Sequence, residues 1–375
     1  MAAAEEKRVA PLELFFDLVF VFAITQVTAL MSHHPDWEGL GHGMLVLSAL
    51  WWAWAAYAWL TNYIAAEEDR ERLLMLAVMG AFLVAALATP QAFGDRALLF
   101  AVAYAAARWL HIFIFAEANE DVDAGDAIRR LARTALPAPL LLIGAAFLDS
   151  PARELVWILA LSTDFAGPYV FGVRGFRVSP GHFAERFSLI VIIALGESIV
   201  AIGAGLHELD AGKVVAALLG LVLAFGIWWA YFDVVALVSE RHFREAQGMR
   251  RIRIARDSYS YLHLPMIAGI VLIALGVKTT LPNVDEPLDM VPAVALFGGV
   301  ALYYAGHLGF RLRNVGTINR PRLVALVLCL VLIPVGTEVD AIAALALATC
   351  VTSGVIAYEA IRYAEARRRI RHETS

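Results

Sequence analysis

Residues 11–31 read Pro11-Leu-Glu-Leu-Phe-Phe-Asp-Leu-Val-Phe-Val-Phe-Ala-Ile-Thr-Gln-Val-Thr-Ala-Leu-Met31. A helix of ~20 mostly apolar residues crosses the hydrocarbon of a bilayer, and this run has that length. Its acidic side chains, Glu13 and Asp17, stand four apart and so share one helix face. Residues 1–10 lead straight into it, and with Asp17 inside and no small-residue cleavage pattern it does not read as a cleavable signal peptide.

The same texture continues along the chain. Of 375 residues, 60% are hydrophobic and 17% charged, against ~25% charged in ordinary soluble domains. The mean hydropathy is +0.68. A disordered chain, a soluble enzyme of typical surface and a nucleic-acid binder are excluded, the last by a net charge of −5. Cys329 and Cys350 both lie in apolar runs, which leaves no disulfide scaffold and no cysteine-based zinc site.

The expected fold is therefore all-α: a polytopic membrane helical bundle forming one membrane domain over residues 1–375. Twelve spans are expected, at 11–31, 42–64, 72–90, 97–117, 133–148, 154–172, 184–206, 213–238, 258–278, 290–310, 322–337 and 340–362; the fifth and eleventh are short. With residues 1–10 inside and sides alternating, 25 Lys and Arg fall in inner segments. Four, Arg96, Arg153, Lys213 and Lys278, fall outside. That asymmetry is the positive-inside pattern, so the chain is expected in the cell inner membrane with both termini cytoplasmic.

Two halves align in order. Glu13-Leu-Phe15 parallels Glu185-Arg-Phe187, Trp51-Trp52-Ala53-Trp54 parallels Trp228-Trp229-Ala230-Tyr231, Leu76–Ala88 resembles Leu264–Gly276, and His111 parallels His307. This predicts two parallel six-helix repeats, 11–172 and 184–362, with a site where the halves meet.

An ionisable residue at the bilayer centre costs ~2.5–3.5 kcal/mol on insertion scales, so each one needs a reason. Glu13 can be explained by the helix dipole, but Asp17 lies a full turn deeper. Arg108 and His111 share a face of the fourth span, and Asp17 or Glu13 are the expected partners of Arg108. His182, Glu185 and Arg186 crowd the start of the seventh span. Glu197 follows ~18 Å beyond Glu185, near mid-membrane, and shares a face with Arg186. Asp164 stands before Gly167-Pro168, where a break or kink is expected, and Asp233, His263 and His307 complete the polar set. Acids and histidines in the cytoplasmic half suggest an inner polar vestibule, the material of proton relays. No close histidine pair lies within a span, so no metal and no cofactor is assigned. Arg367 to Arg371 is expected to meet anionic headgroups of the lipid bilayer.

The segments Pro11 to Gln26 and His182 to Ser198, with Trp228-Trp-Ala-Tyr-Phe-Asp233 and Ser260-Tyr-Leu-His263, resemble the bacterial low temperature requirement A family over nearly the whole chain. The resemblance implies an integral membrane protein linked to growth in the cold and supplies no reaction, substrate or functional residues. A fainter similarity, in repeat architecture alone, is to the lysosomal potassium-channel family. Three functions follow as expectations. The first is a transporter or channel for a proton, cation or small solute. The others are a membrane enzyme acting on a lipid-soluble substrate, and a non-catalytic component of cold adaptation.

Overall fold

The computed structural model describes residues 9–63, 69–118, 122–205, 210–365 and 367. Lys7, Arg8, Arg368, Arg369 and Arg371, which enter the orientation count, lie outside them. Among the described residues there are helices and no β-strand, apart from an isolated bridge between Pro287 and Asp340. The first helices are α1 (Pro11–His33), α2 (Trp37–Leu60), α3 (Asp69–Ala88), α4 (Ala97–Glu117), α5 (Val122–Ala135), α6 (Pro137–Ala145), α7 (Ala152–Val170) and α8 (Pro180–Gly205). There follow α9 (Ala211–Phe232), α10 (Val235–Glu245), α11 (Gly248–Ile254), α12 (His263–Thr280), α13 (Met290–Ala293), α14 (Gly299–Val315), α15 (Arg320–Gly336) and α16 (Ala341–Arg362). A π-helical stretch, Ala255–Tyr261, follows α11, and another, Val294–Gly298, follows α13.

Among the described residues nine helical segments are long and apolar enough to cross a membrane. They coincide with nine of the twelve expected spans; the other three are 133–148, 154–172 and 322–337. The first of these does not form one helix. Pro137 and Pro139 lack the N–H that would continue the ladder, so α5 ends at Ala135 and α6 is nine residues long, about 14 Å. Helix α7 carries Arg153, Glu154 and Asp164, and α15 has 17 residues. Of the break or kink expected at Gly167-Pro168, the break is absent: α7 continues to Val170 with Pro168 in its last turn.

The contacts divide the chain into two compact units. The first comprises residues up to Met31, Glu38–Arg186 and Gln247–Arg256. Its α1 is built inside out for water but correctly for lipid. Glu13, Phe16, Asp17, Phe20, Ile24 and Val27 recur at helical spacing on the buried face, while Leu14, Phe15 and Leu18 are exposed. Phe16 packs on Tyr57 and Phe82 at ring separations of 5.2 and 5.3 Å, and Phe20 on Trp54 at 5.8 Å. These contacts fix the rotation of α1 and hold its two acids inward. Helix α3 packs on α4, and α6 on α7.

The second unit comprises Ser32–Trp37, Phe187–Ala246 and the chain from Asp257 onward. In it α12 packs on α14, α15 on α16 and α16 on α9. The contact of α12 with α14 and with the π-helical stretch before it is backbone-close. A Cβ added to Gly269 would stand 2.6 Å from the Gly299 carbonyl, and one on Gly276 would stand 2.7 Å from Leu296 Cα. Small residues permit this approach between helices in lipid, where apolar side chains gain little by leaving the tails. Leu323, Val324, Val327, Leu328, Leu330 and Val331 are exposed on α15, an apolar surface suited to acyl chains.

Candidate functional site

The first unit gathers four ionisable side chains into a buried cluster. Glu13 and Asp17 come from the first two turns of α1, and His182 and Arg186, also four apart, from the start of α8. His182 Nε2 lies 2.9 Å from Glu13 Oε2. Arg186 Nη1 donates to Glu13 Oε2 at 3.2 Å and Nη2 to Asp17 Oδ1 at 2.9 Å. Trp54 Nε1 donates to that same Asp17 oxygen at 2.9 Å, and its ring lies 5.7 Å from the guanidinium carbon. All four ionisable groups are fully buried.

Charge counting gives the cluster its chemistry. Among the described residues two carboxylates and an imidazole meet one guanidinium, which cannot lose its proton in a protein. Unbalanced charge in a low dielectric is costly, so burying these groups together favours matching their charges by protons or cations. Asp17 Oδ2, His182 Nδ1 and Arg186 Nε are buried without a hydrogen-bond partner, so the cluster retains donor and acceptor capacity.

Glu185 is not part of it. It lies on the exposed side of α8 and accepts the Val9 N–H at 3.3 Å. Glu197 is buried on α8, eleven residues past Arg186 and so about 16 Å along the axis, beyond the reach of that guanidinium.

Arg108 has a different partner from the one expected. Its Nη2 donates to both oxygens of Asp164 on α7, at 2.9 and 2.8 Å, while Glu13 and Asp17 are engaged by Arg186. Trp52 also hydrogen-bonds Asp164. The Trp51-Trp52-Ala53-Trp54 cluster thus places indole donors on two buried aspartates, a role the sequence did not suggest. His111, one turn on from Arg108, sits against the Tyr57 and Phe115 rings at 5.2 and 6.1 Å.

In the second unit His263 and His307 both lie against the Tyr231 ring, at 5.7 and 5.9 Å, but have different hydrogen-bond partners. His263 Nδ1 lies 2.9 Å from the Ser258 carbonyl, an acceptor only, so Nδ1 carries the proton and Nε2 accepts from Tyr231 Oη at 2.8 Å. His307 Nδ1 meets Arg322 Nη1 at 2.9 Å. Arg322 also binds Glu359 through Nε at 3.0 Å and Nη2 at 2.9 Å. That pair was missed: Arg322 reads as an orientation charge at a helix start, and Glu359 as one acid near the end of an apolar run. Asp233 pairs with Arg367. Of the expected vestibule, Asp233 and His307 line a cavity of about 440 Å³ in this unit, and the rest of the set does not. Among the described residues no three His, Cys, Asp or Glu side chains converge to hold a metal ion.

Residues 8–357 match the family model described as Bacterial low temperature requirement A protein. The chain belongs to this family. It is also similar to a Rhizobium meliloti (strain 1021) protein described as uncharacterized, with 31% identity over 310 residues, 78% of this chain and 75% of that one. The two segments that carried the resemblance to the low temperature requirement A family, 11–26 and 182–198, are the two that supply Glu13, Asp17, His182 and Arg186. Their polar residues meet one another, which accounts physically for acids and a base standing in otherwise apolar runs.

Proposed function

We propose that this low temperature requirement A protein is a transporter or channel for a proton, cation or small solute, and that the Glu13–Asp17–His182–Arg186 cluster is where charge is taken up and released. One observation carries the reading: two carboxylates, an imidazole and a permanent cation are buried together, and acids and imidazoles set side by side away from water are the material of proton and ion paths. Asp17 Oδ2 and His182 Nδ1 have no hydrogen-bond partner, which leaves the cluster capacity for a further ligand. Glu197, further along α8 and buried, is the next acid on that helix and a candidate second station. The paired contacts α3–α4 and α12–α14, and α6–α7 and α15–α16, support a duplicated scaffold of two six-helix repeats, 11–172 and 184–362. Growth at low temperature, the requirement in the family's name, would depend on the flux.

The test is flux into liposomes of the purified full chain under an imposed pH gradient, read by an internal pH dye and repeated with Na⁺ and K⁺ gradients. Glu13→Gln keeps the size of the side chain and one acceptor oxygen but removes its charge. Flux above that of empty liposomes, reduced at least tenfold in Glu13→Gln and lowered in Glu197→Gln, supports the proposal. Flux equal to empty liposomes, or unchanged in both variants, overturns it.

A further inference from the structure

The polar lining of the cavity in the second unit is weighted toward donors, with the hydroxyls of Ser239 and Tyr363 able to donate or accept. Its acids are already engaged: Glu359 by Arg322 and by Asn319 Nδ2 at 2.6 Å, Asp233 by Arg367. Two buried donors on its wall have no partner, Trp229 Nε1 and His307 Nε2. The second follows from what His307 touches. Arginine can only donate, so Arg322 at Nδ1 makes that nitrogen the acceptor and leaves the ring proton on Nε2. An indole N–H can likewise only donate.

Charge agrees with the hydrogen-bond count. Arg311 and Arg320, on the same wall, are exposed and belong to neither ion pair, so the lining has more guanidinium than carboxylate. The start of α15, with its backbone dipole positive at that end, contributes Asn319 through Arg322 to the wall. Donors without acceptors, and cations in excess, complement a ligand made of acceptors. The volume lies within the range of small-ligand sites.

We infer that this cavity binds an oxyanion, the phosphate of an anionic lipid headgroup or of a soluble phosphate, with Trp229 Nε1 and His307 Nε2 as its inner donors and Arg311 and Arg320 at its rim. The inference is independent of the transport proposal, since none of these four residues belongs to the cluster on α1 and α8.

The experiment uses the purified full chain in a non-ionic detergent. It is titrated with inorganic phosphate, with dihexanoyl phosphatidylglycerol, and with dihexanoyl glycerol, which lacks the phosphate. Binding is read by calorimetry and by the ¹⁵N resonance of His307 Nε2. Saturable binding of phosphate alone identifies a soluble ligand, and of the phospholipid alone a headgroup; either supports the inference when dihexanoyl glycerol does not bind. Trp229→Phe keeps an aromatic ring beneath Arg367 and removes only the donor; it should weaken binding about tenfold or more, the usual loss for a hydrogen bond to a charged group. His307→Gln can accept from Arg322 and still donate into the cavity, so it should retain binding. No saturation with either phosphate probe, equal binding of dihexanoyl glycerol, or unchanged affinity in Trp229→Phe overturns the inference.

Discussion

One guanidinium nitrogen of Arg108 reaches both oxygens of Asp164, at 2.9 and 2.8 Å, and joins α4 to α7 inside the first unit. Nε and Nη1 of the same arginine are buried without partners, so the pair is held by charge rather than by a full set of hydrogen bonds. Such a pair contributes little over an apolar replacement but is expensive to break from one side. Arg108→Ala and Asp164→Asn should each destabilise the protein by about 3–5 kcal/mol, and the double replacement Arg108→Met/Asp164→Leu by much less than their sum. Thermal unfolding of the purified variants in detergent, arranged as a double-mutant cycle, measures this.

The α1–α8 cluster gives a different ordering. Glu13→Gln leaves one carboxylate, Asp17, against one guanidinium and should be tolerated, with a midpoint close to that of the unmodified protein. Arg186→Ala leaves two carboxylates and an imidazole together and should fail to accumulate, or unfold well below the wild type. Yield of monodisperse protein and its unfolding midpoint distinguish the two.

Helix α1 is legible in the sequence, since its length, apolarity and the i, i+4 spacing of Glu13 and Asp17 define both the span and its inward face. The partners were not. Sequence gives the depth of a residue along its helix but not which neighbouring helix its azimuth meets; by depth alone Asp17 and Asp164 are equivalent choices for Arg108. The Arg322–Glu359 pair escaped for a related reason. Arg322 opens α15 beside Pro321, where a cation reads as an orientation signal, and the His307 that turns it inward lies on another helix.

Contact of α12 with α14 and the π-helical stretch before it depends on backbone approach. Gly269→Ala and Gly276→Ala place a methyl against the Gly299 carbonyl and Leu296 Cα, which cannot rotate away. Gly226→Ala meets Thr352 Cγ2 at 2.7 Å, a side-chain tip that can move. The first two should lower the yield of folded protein several-fold, and the third should be mild. Size-exclusion profiles of the three variants rank them.

Asp210 caps α9: its Oδ1 accepts the Lys213 N–H at 2.8 Å, and this bond, first among the causes, holds the carboxyl below its usual range. Because the folded form binds its proton less readily than the unfolded one, the cap acts above the ordinary carboxylate pKa of about 4 and is lost as pH falls through the lower value. Asp210→Ala should speed amide exchange at Gly212 and Lys213 near neutral pH. The difference from wild type should vanish in strong acid.

The π-helical stretch Ala255–Tyr261 carries one residue more than α-helical pitch requires, and the Leu262 N–H accordingly bonds the Asp257 carbonyl five positions back, at 3.1 Å. The surplus residue leaves the Ser258 carbonyl open to His263 Nδ1. Excising one position between Tyr259 and Tyr261 would let the backbone relax into regular coiling, with the turns on either side keeping their facing because the bulge alone takes up the surplus residue. The His263 backbone N–H would then stand four positions from the Ser258 carbonyl and compete for it with the ring Nδ1. An added amino acid, ordinarily a defect, here decides which nitrogen of a buried imidazole carries the proton.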